Sequence, residues 1–407
     1  MTASAIAIIL IFLTFLWSLI QRPRHRKLPP GPWALPVIGN LHMLGNLPHR
    51  SLRDLAKKYG PIMSMRLGTK TTIVVSSPEA AELFLKTHDT IFASRPKVQS
   101  SDYLSYGTKG MGFSEYGPYW RHIRKLCTLQ FFVNQRLRLL LHCGGRGGFV
   151  VESLRKAAAE GQVVDLSEKV GELIEGITYR MVLGSKNDDT FDVKGIIEEI
   201  MLLTGAVNIG DYLPFLSPFD FQGLTKRMKR LSKRIDQLLE NYRHSVWTLA
   251  ELLRHPRVMK HLQQELQSVI GTDRMVEESD LPKLGYLNMV LKESFRLHPV
   301  APLLIHMHPW RHYKNVEEFY PERFIDGNID LRGHDFQLLP FGSGRRGCPA
   351  MQLGLTTVRL ALANLVHCFN WDLPNGLKPE DVDMTETFGL SLSKTKHLLV
   401  MPIYRLY

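Results

Sequence analysis

A glycine-rich run that ends in one cysteine, Phe341-Gly342-Ser343-Gly344-Arg345-Arg346-Gly347-Cys348-Pro349, constrains this chain more than any other stretch. Downstream, Met351, Leu355, Val358, Leu362 and Leu365 recur at helical spacing, which predicts a helix opening at the cysteine with Pro349 in its first position. A thiol placed there meets unpaired backbone N–H groups and the positive end of the helix dipole, which favour the thiolate, the form that binds metal. Glycines at 342, 344 and 347 let the backbone pass close under a flat ligand, and Arg345 or Arg346 could pair with carboxylates at its edge. Other readings stand beside this one. The same residues satisfy G-x-G-x-x-G, the dinucleotide fingerprint, although no alternating βαβ units flank them. Cys348 also suits a buried structural thiol. Zinc finds little support, because Cys127, Cys143, Cys348 and Cys368 show no C-x-x-C spacing.

The chain is long enough to bury a large core, and 44% hydrophobic with 22% charged residues is ordinary globular composition. Its 51 basic and 39 acidic residues give a charge of +12, which fits an anionic membrane surface or an acidic protein partner; no nucleic-acid motif accompanies it. Scattered cysteines imply a reducing compartment for the folded part. Residues 3–20 are almost continuously apolar, long enough to cross a bilayer, and Arg22, Arg24, Arg26 and Lys27 follow. Basic residues after the apolar run hold that flank in the cytosol, so residues 1–21 are expected to be a transmembrane signal anchor and the remainder cytoplasmic. A cleaved signal peptide would carry its basic residues first. A basic and proline-rich hinge, residues 22–36, then contains the stiff spacer Leu28-Pro29-Pro30-Gly31-Pro32.

In the body, residues 49–59 read as a basic amphipathic helix ended by Gly60-Pro61. Residues 62–67 and 71–75 read as a hairpin around Gly68, and Ser77-Pro78-Glu79 opens another helix. Trp120 and Arg124 lie four residues apart on one helical face, where an indole N–H and a guanidinium could hold two carboxylates; a solvated basic helix is the plainer reading. Apolar positions 287, 290, 291 and 295 mark a helix stopped near Pro299, with Glu293 and Arg296 three apart on one face. Such a pair alone is usually a weak surface salt bridge.

These segments together resemble the cytochromes P450. F-x-x-G-x-R-x-C around Cys348 resembles their haem-thiolate loop, Trp120 to Arg124 their W-x-x-x-R pair, Glu293 to Arg296 their E-x-x-R and Pro321-Glu322-Arg323-Phe324 their P-E-R-F element. The motifs occur in that family's order, and the whole chain resembles its A-type microsomal members of plants. The resemblance implies a mainly α fold with small β-sheets, here incomplete, with residues 37–407 as the haem domain. It implies haem b with Cys348 as axial ligand of the iron, Trp120, Arg124, Phe341, Gly342 and Arg345 around the cofactor, and a structural triad of Glu293, Arg296 and Arg323. It further implies electrons from NADPH through a membrane-bound P450 reductase, met by Arg121 and Lys125, and one oxygen atom from O2 inserted into an apolar small molecule of plant secondary metabolism. The expected location is the endoplasmic reticulum membrane, single-pass, with the haem domain cytosolic and an apolar surface around residues 213–221 dipping into the bilayer. Residues 103–112, 300–303 and Phe388-Gly389-Leu390 are the implied pocket walls.

The chain departs from that family in three places. Asn241-Tyr242-Arg243 joins abruptly to a segment similar to the second half of the family's long central helix, and the first half, with its A-G-x-[DE]-T element, occurs nowhere. That element supplies the acid and alcohol of a proton relay. At 305–315 a short segment replaces strands of the main sheet. One nucleotide string coding Pro-His-Ala-Ser-Met-Glu-Asp, read out of frame, yields His306-Met307-His308-Pro309-Trp310-Arg311. His306, His308 and His312 lack the carboxylate or cysteine that would complete a metal site. At 131–150 a glycine cluster, Cys143 to Gly148, interrupts a helical region. A non-catalytic haem protein, or the remnant of a decayed gene, is the alternative reading.

Overall fold

The computed structural model describes residue 12 and residues 28–105, 107, 109–131, 147–173, 193–232, 244–298, 318–325 and 329–406. The expected anchor (Phe12 apart), the histidines at 306, 308 and 312, the glycine cluster up to residue 146 and the pocket wall at 300–303 lie outside these residues. Among the described residues, no helix is long and apolar enough to cross a membrane.

The architecture is mainly helical with small sheets. Helix α1 (Pro48–Tyr59) starts with proline at its first position and ends at Gly60, whose φ of +107° suits glycine. It packs on the antiparallel hairpin of β1 (Ile62–Leu67) and β2 (Lys70–Val75), closed by a turn in which Gly68 has φ +57°. Alternate β1 residues Met63, Met65 and Leu67 are buried against Leu44 and Ala56, as a half-buried strand requires. Helices α2 (Pro118–Phe131), α3 (Gly147–Ala159), α4 (Val193–Gly205) and α5 (Leu224–Ser232) follow. Between α4 and α5, Phe215, Phe219 and Phe221 stand exposed.

The main core gathers around α6 (His244–Arg254), α7 (Pro256–Ile270), α8 (Gly285–Leu297) and α9 (Met351–Cys368). Leu249, Leu252, Leu262, Leu287, Leu291 and Leu362 are fully buried there, and α9 is buried on nearly every face, consistent with its run of apolar residues. Strands β3 (Val164–Asp165) and β4 (Phe369–Asp372) flank β7 (Leu399–Tyr404), while β5 (Glu386–Thr387) and β6 (Ser393–Lys394) form a separate short hairpin.

One local expectation is corrected here. Helix α9 begins at Met351, not at Pro349, because residues 349–350 form a turn and the Cys348 N–H is already bonded to the Phe341 carbonyl. The cysteine therefore belongs to a closed loop before the helix rather than to its first turn.

Candidate functional site

The loop carrying Cys348 is fixed by its own backbone. The Cys348 N–H donates to the Phe341 carbonyl at 2.8 Å, and a tight turn at Gly344–Arg346 sends the Gly347 N–H back to the Gly344 carbonyl at 3.1 Å. Gly344, at φ +62°, runs so close beneath Leu85 that a Cβ would stand 2.2 Å from that residue's carbonyl oxygen, so only glycine fits. The Phe341 ring meets Phe295 of α8 edge-on at 5.7 Å, which ties the loop to the core.

Phe295 also links the loop to the ion cluster beneath it. Glu293 is completely buried and accepts a two-pronged bond from Arg296, Nε to Oε2 at 2.8 Å and Nη2 to Oε1 at 3.0 Å. Arg323 Nε reaches Oε1 at 2.9 Å, the Tyr320 N–H reaches it at 2.9 Å, and both arginines donate to the Glu318 carbonyl. The three residues expected to form a triad thus meet in one place. Removing any partner would strand a buried charge.

On the other side of the cysteine lies a cluster of cations. Trp120 is buried, and its indole N–H donates to the Met111 carbonyl at 3.0 Å. The guanidinium of Arg124 stands 5.3 Å from the Trp120 ring centre, and that of Arg346 stands 4.4 Å from it. Burial pulls the Arg124 pKa down while the nearby Cys348 sulfur pushes it up. Arg346 is pulled down to about 10, first by burial and then by repulsion from Arg95 and Arg124; burial also lowers Arg95. Among the described residues, none of these three arginines makes an ion pair. Anions are what such a cluster lacks, and the paired carboxylates of a haem would supply them.

Arg345, the arginine placed at the cofactor edge by sequence reading, turns the opposite way. It pairs with Asp89 at 3.1 Å and donates to the Tyr116 hydroxyl at 3.0 Å. Adjacent residues of the tight turn point to opposite sides, so Arg346, not Arg345, joins Trp120 and Arg124. Arg95 escaped the sequence reading altogether. Its only signal was the string Ala93-Ser94-Arg95-Pro96, which carries no periodicity.

The remaining described cysteines offer poor alternatives. Cys368 is wholly buried in the core and its thiol is pushed up to about 12 by burial; burial also raises Cys127. Among the described residues, no three His, Cys, Asp or Glu side chains gather as a metal site.

A second buried carboxylate, unforeseen from sequence, anchors α6. Glu251 bonds His298 at 2.7 Å and lies 3.3 Å from His255, while Thr248 and Ser294 share a buried hydroxyl bond of 2.7 Å between α6 and α8. Burial alone would raise the Glu251 pKa, but hydrogen bonds from His255 and His298 hold it at about 2. The i, i+4 spacing of Glu251 and His255 was the available hint.

Comparison with known proteins agrees with this geometry. The family model for Cytochrome P450 matches residues 29–246, 243–310 and 306–401. Its pieces meet at 243–246 and at 306–310, near two of the places where the sequence departs from that family. Cytochrome P450 CYP736A12 of Panax ginseng is 48% identical over 94% of both chains, an alignment of 472 positions that must bridge gaps in a 407-residue chain. Cytochrome P450 71A4 of Solanum melongena is 34% identical over 97% of both. Flavonoid 3'-monooxygenase CYP75B137 of Crocosmia x crocosmiiflora is 33% identical, over 98% of this chain and 97% of its own.

Proposed function

This chain belongs to the cytochrome P450 family as a haem monooxygenase of plant metabolism, and we propose that Cys348 is its iron ligand and that an apolar small molecule is its substrate. The observation that carries the assignment is the closed Cys348 loop near Arg124 and Arg346, which flank Trp120 and, among the described residues, make no ion pair; Arg346 donates to the carbonyls of Ala93, Met111 and Ser114. The residues fit a haem: Cys348 would supply a thiolate to its iron, and Trp120, Arg124 and Arg346 would hold its carboxylates. When bound, it supplies oxygen activation.

Everything else falls to the protein. Cys348 is held in position by the bond from its N–H to the Phe341 carbonyl, and Phe341 and Gly342 would line the cofactor on that side. Trp120 would turn its indole N–H from Met111 toward a carboxylate, beside Arg124. Glu293, Arg296 and Arg323 keep α8, and through Phe295 the loop, in register. Electrons are proposed to come from NADPH through a P450 reductase docking near Arg121 and Lys125, which lie on the same helix as Trp120. The apolar run at 3–20 is proposed as an anchor in the endoplasmic reticulum, aided by exposed Phe215, Phe219 and Phe221.

The test is the spectrum of the reduced protein under carbon monoxide. A thiolate-type Soret band is expected, and its absence would overturn the assignment. A second reading, haem binding without productive turnover, is favoured by one observation: the family match breaks at residues 243–246, and the sequence there lacks the acid and alcohol of the relay that the resemblance implies.

A further inference from the structure

Glu386 stands on β5, two residues before Phe388, and nothing above gives it a role. The hairpin it belongs to pairs Glu386 with Lys394 and Thr387 with Ser393, with one more backbone bond from the Thr395 N–H to the Thr385 carbonyl at 2.9 Å. A hairpin this short is not stable alone in water. Yet its tip is not solvated, for Gly389, Ser391 and Leu392 are buried. Contacts from outside must hold it there, and they come from two directions.

On one side, α1 grips the carboxylate. Arg50 reaches both oxygens, Nε to Oε2 at 3.0 Å and Nη2 to Oε1 at 2.7 Å, and His49 Nε2 lies 3.5 Å from Oε2. The Glu386 side chain is only 4% exposed, so this is a desolvated, two-pronged bond rather than a surface pair. The His49 ring also stacks on Phe388, 5.9 Å between centres with planes 15° apart. On the other side, α4 takes the tip by its backbone. The Leu390 N–H donates to the Met201 carbonyl at 2.8 Å, and Gly205 lies so close that a Cβ would sit 1.9 Å from the Leu390 nitrogen. The segment Phe388-Gly389-Leu390 is therefore a strap drawn between α1 and α4, with Glu386 as its fastening.

We infer that Glu386, fastened by Arg50 and His49, is a positioning residue that sets where Phe388-Gly389-Leu390 stands and thereby which apolar ligand shapes the pocket accepts. This rests on the proposed function and on the family resemblance, which implies that 388–390 form a pocket wall. Loosening the fastening would let Phe388 leave His49 and Leu390 leave Met201, changing the wall without touching the cysteine loop. Small ligands that never reach the wall should not notice.

Two variants test it, Glu386→Gln and Arg50→Ala; the second removes a half-exposed side chain and so guards against a misfolded first variant. Amide hydrogen exchange at Leu390 is read with and without haem, and dissociation constants for imidazole, 4-phenylimidazole and a biphenyl-substituted imidazole are read from the Soret shift. Faster exchange at Leu390 is expected in both variants. Imidazole should bind as before, and the biphenyl ligand should change by about tenfold, the scale of a reshaped apolar pocket. Unchanged exchange would overturn the fastening, and an equal shift for all three ligands would reduce Glu386 to a general structural role. Absence of the thiolate band in the unaltered protein would instead sink the proposed function, while exchange in the haem-free chain still decides whether Glu386 fastens the strap.

Discussion

Two buried carboxylates hold the two sides of this molecule, and they are held differently. Glu293, on the cysteine side, is locked by Arg296 and Arg323, whose charge no ordinary pH removes. Glu251, on the side of the central helix, is locked by His298 and by His255, whose pKa is raised by its bonds to Glu251 over the opposing effect of burial. The cysteine side carries the loop and the triad residues that the sequence motifs pointed to, whereas the family match breaks at residues 243–246 on the central-helix side. Cofactor capture and oxygen chemistry thus rest on parts in unequal condition, which makes each separately testable.

The sharpest break would come from Cys348→Ala. No other described cysteine sits in a comparable loop, so the thiolate band should vanish entirely while Cys368→Ala keeps it. A thiolate band that survived Cys348→Ala would move the ligand elsewhere and undo the contrast at its source.

Next in size is the fate of electrons. With the acid and alcohol of the relay missing, protons reach the oxygen side poorly, and most reducing equivalents should emerge as peroxide or superoxide rather than as oxygenated product. Reconstitution with reductase and NADPH, measuring NADPH consumed, peroxide and product over a panel of apolar substrates, checks this. Tight coupling to product would mean another residue supplies the protons, and the two sides would then be functionally equal.

A smaller effect compares the two locks directly. Glu293→Gln leaves two buried guanidiniums facing a neutral amide and should cost about 3–5 kcal/mol in denaturant unfolding, with loss of haem retention. Glu251→Gln should cost less, because His255, whose raised pKa depends on Glu251, can shed its charge when the carboxylate goes. Equal losses would show that the chemistry of the partner does not matter here.

Sequence reading reached the cysteine side more easily for a physical reason. Glu293 and Arg296 are three apart on a helix, and Gly342 to Cys348 are consecutive, so local spacing already states who meets whom. The hairpin of β1 and β2 was legible from alternation around Gly68. Direction was not legible where tertiary contacts decide it. Arg345 and Arg346 are neighbours in one loop, and only Asp89, far away in sequence, shows which of them turns outward. Glu251 and His298 meet across two helices, and Glu386 meets Arg50 across most of the chain. The start of α9 was misplaced because proline suits a turn as well as a first helical position.

The smallest expected effect is also the one that most directly contrasts the two locks, namely their response to pH. Glu251 has its pKa depressed from 4.5 to about 2 in the fold, so its contribution is complete above 4.5 and is lost as pH falls toward about 2. His255 moves the other way. Burial disfavours its charge, but bonds to Glu251 prevail and raise it above 6.5, so its contribution is complete below 6.5 and fades as pH rises through the raised value. The lock on α6 is therefore strongest between those limits. The stability difference between the native chain and Glu251→Gln should peak near pH 5–6, by on the order of 2 kcal/mol, and shrink toward both pH 3 and pH 8. Using the difference rather than the absolute curve removes Glu386, whose pKa is also held at about 2 and which contributes to the same acid limb in both proteins. A difference that stayed flat from pH 5 to pH 8 would show that His255 does not change charge in that range. The central-helix side would then be as indifferent to alkaline pH as the arginine-locked side.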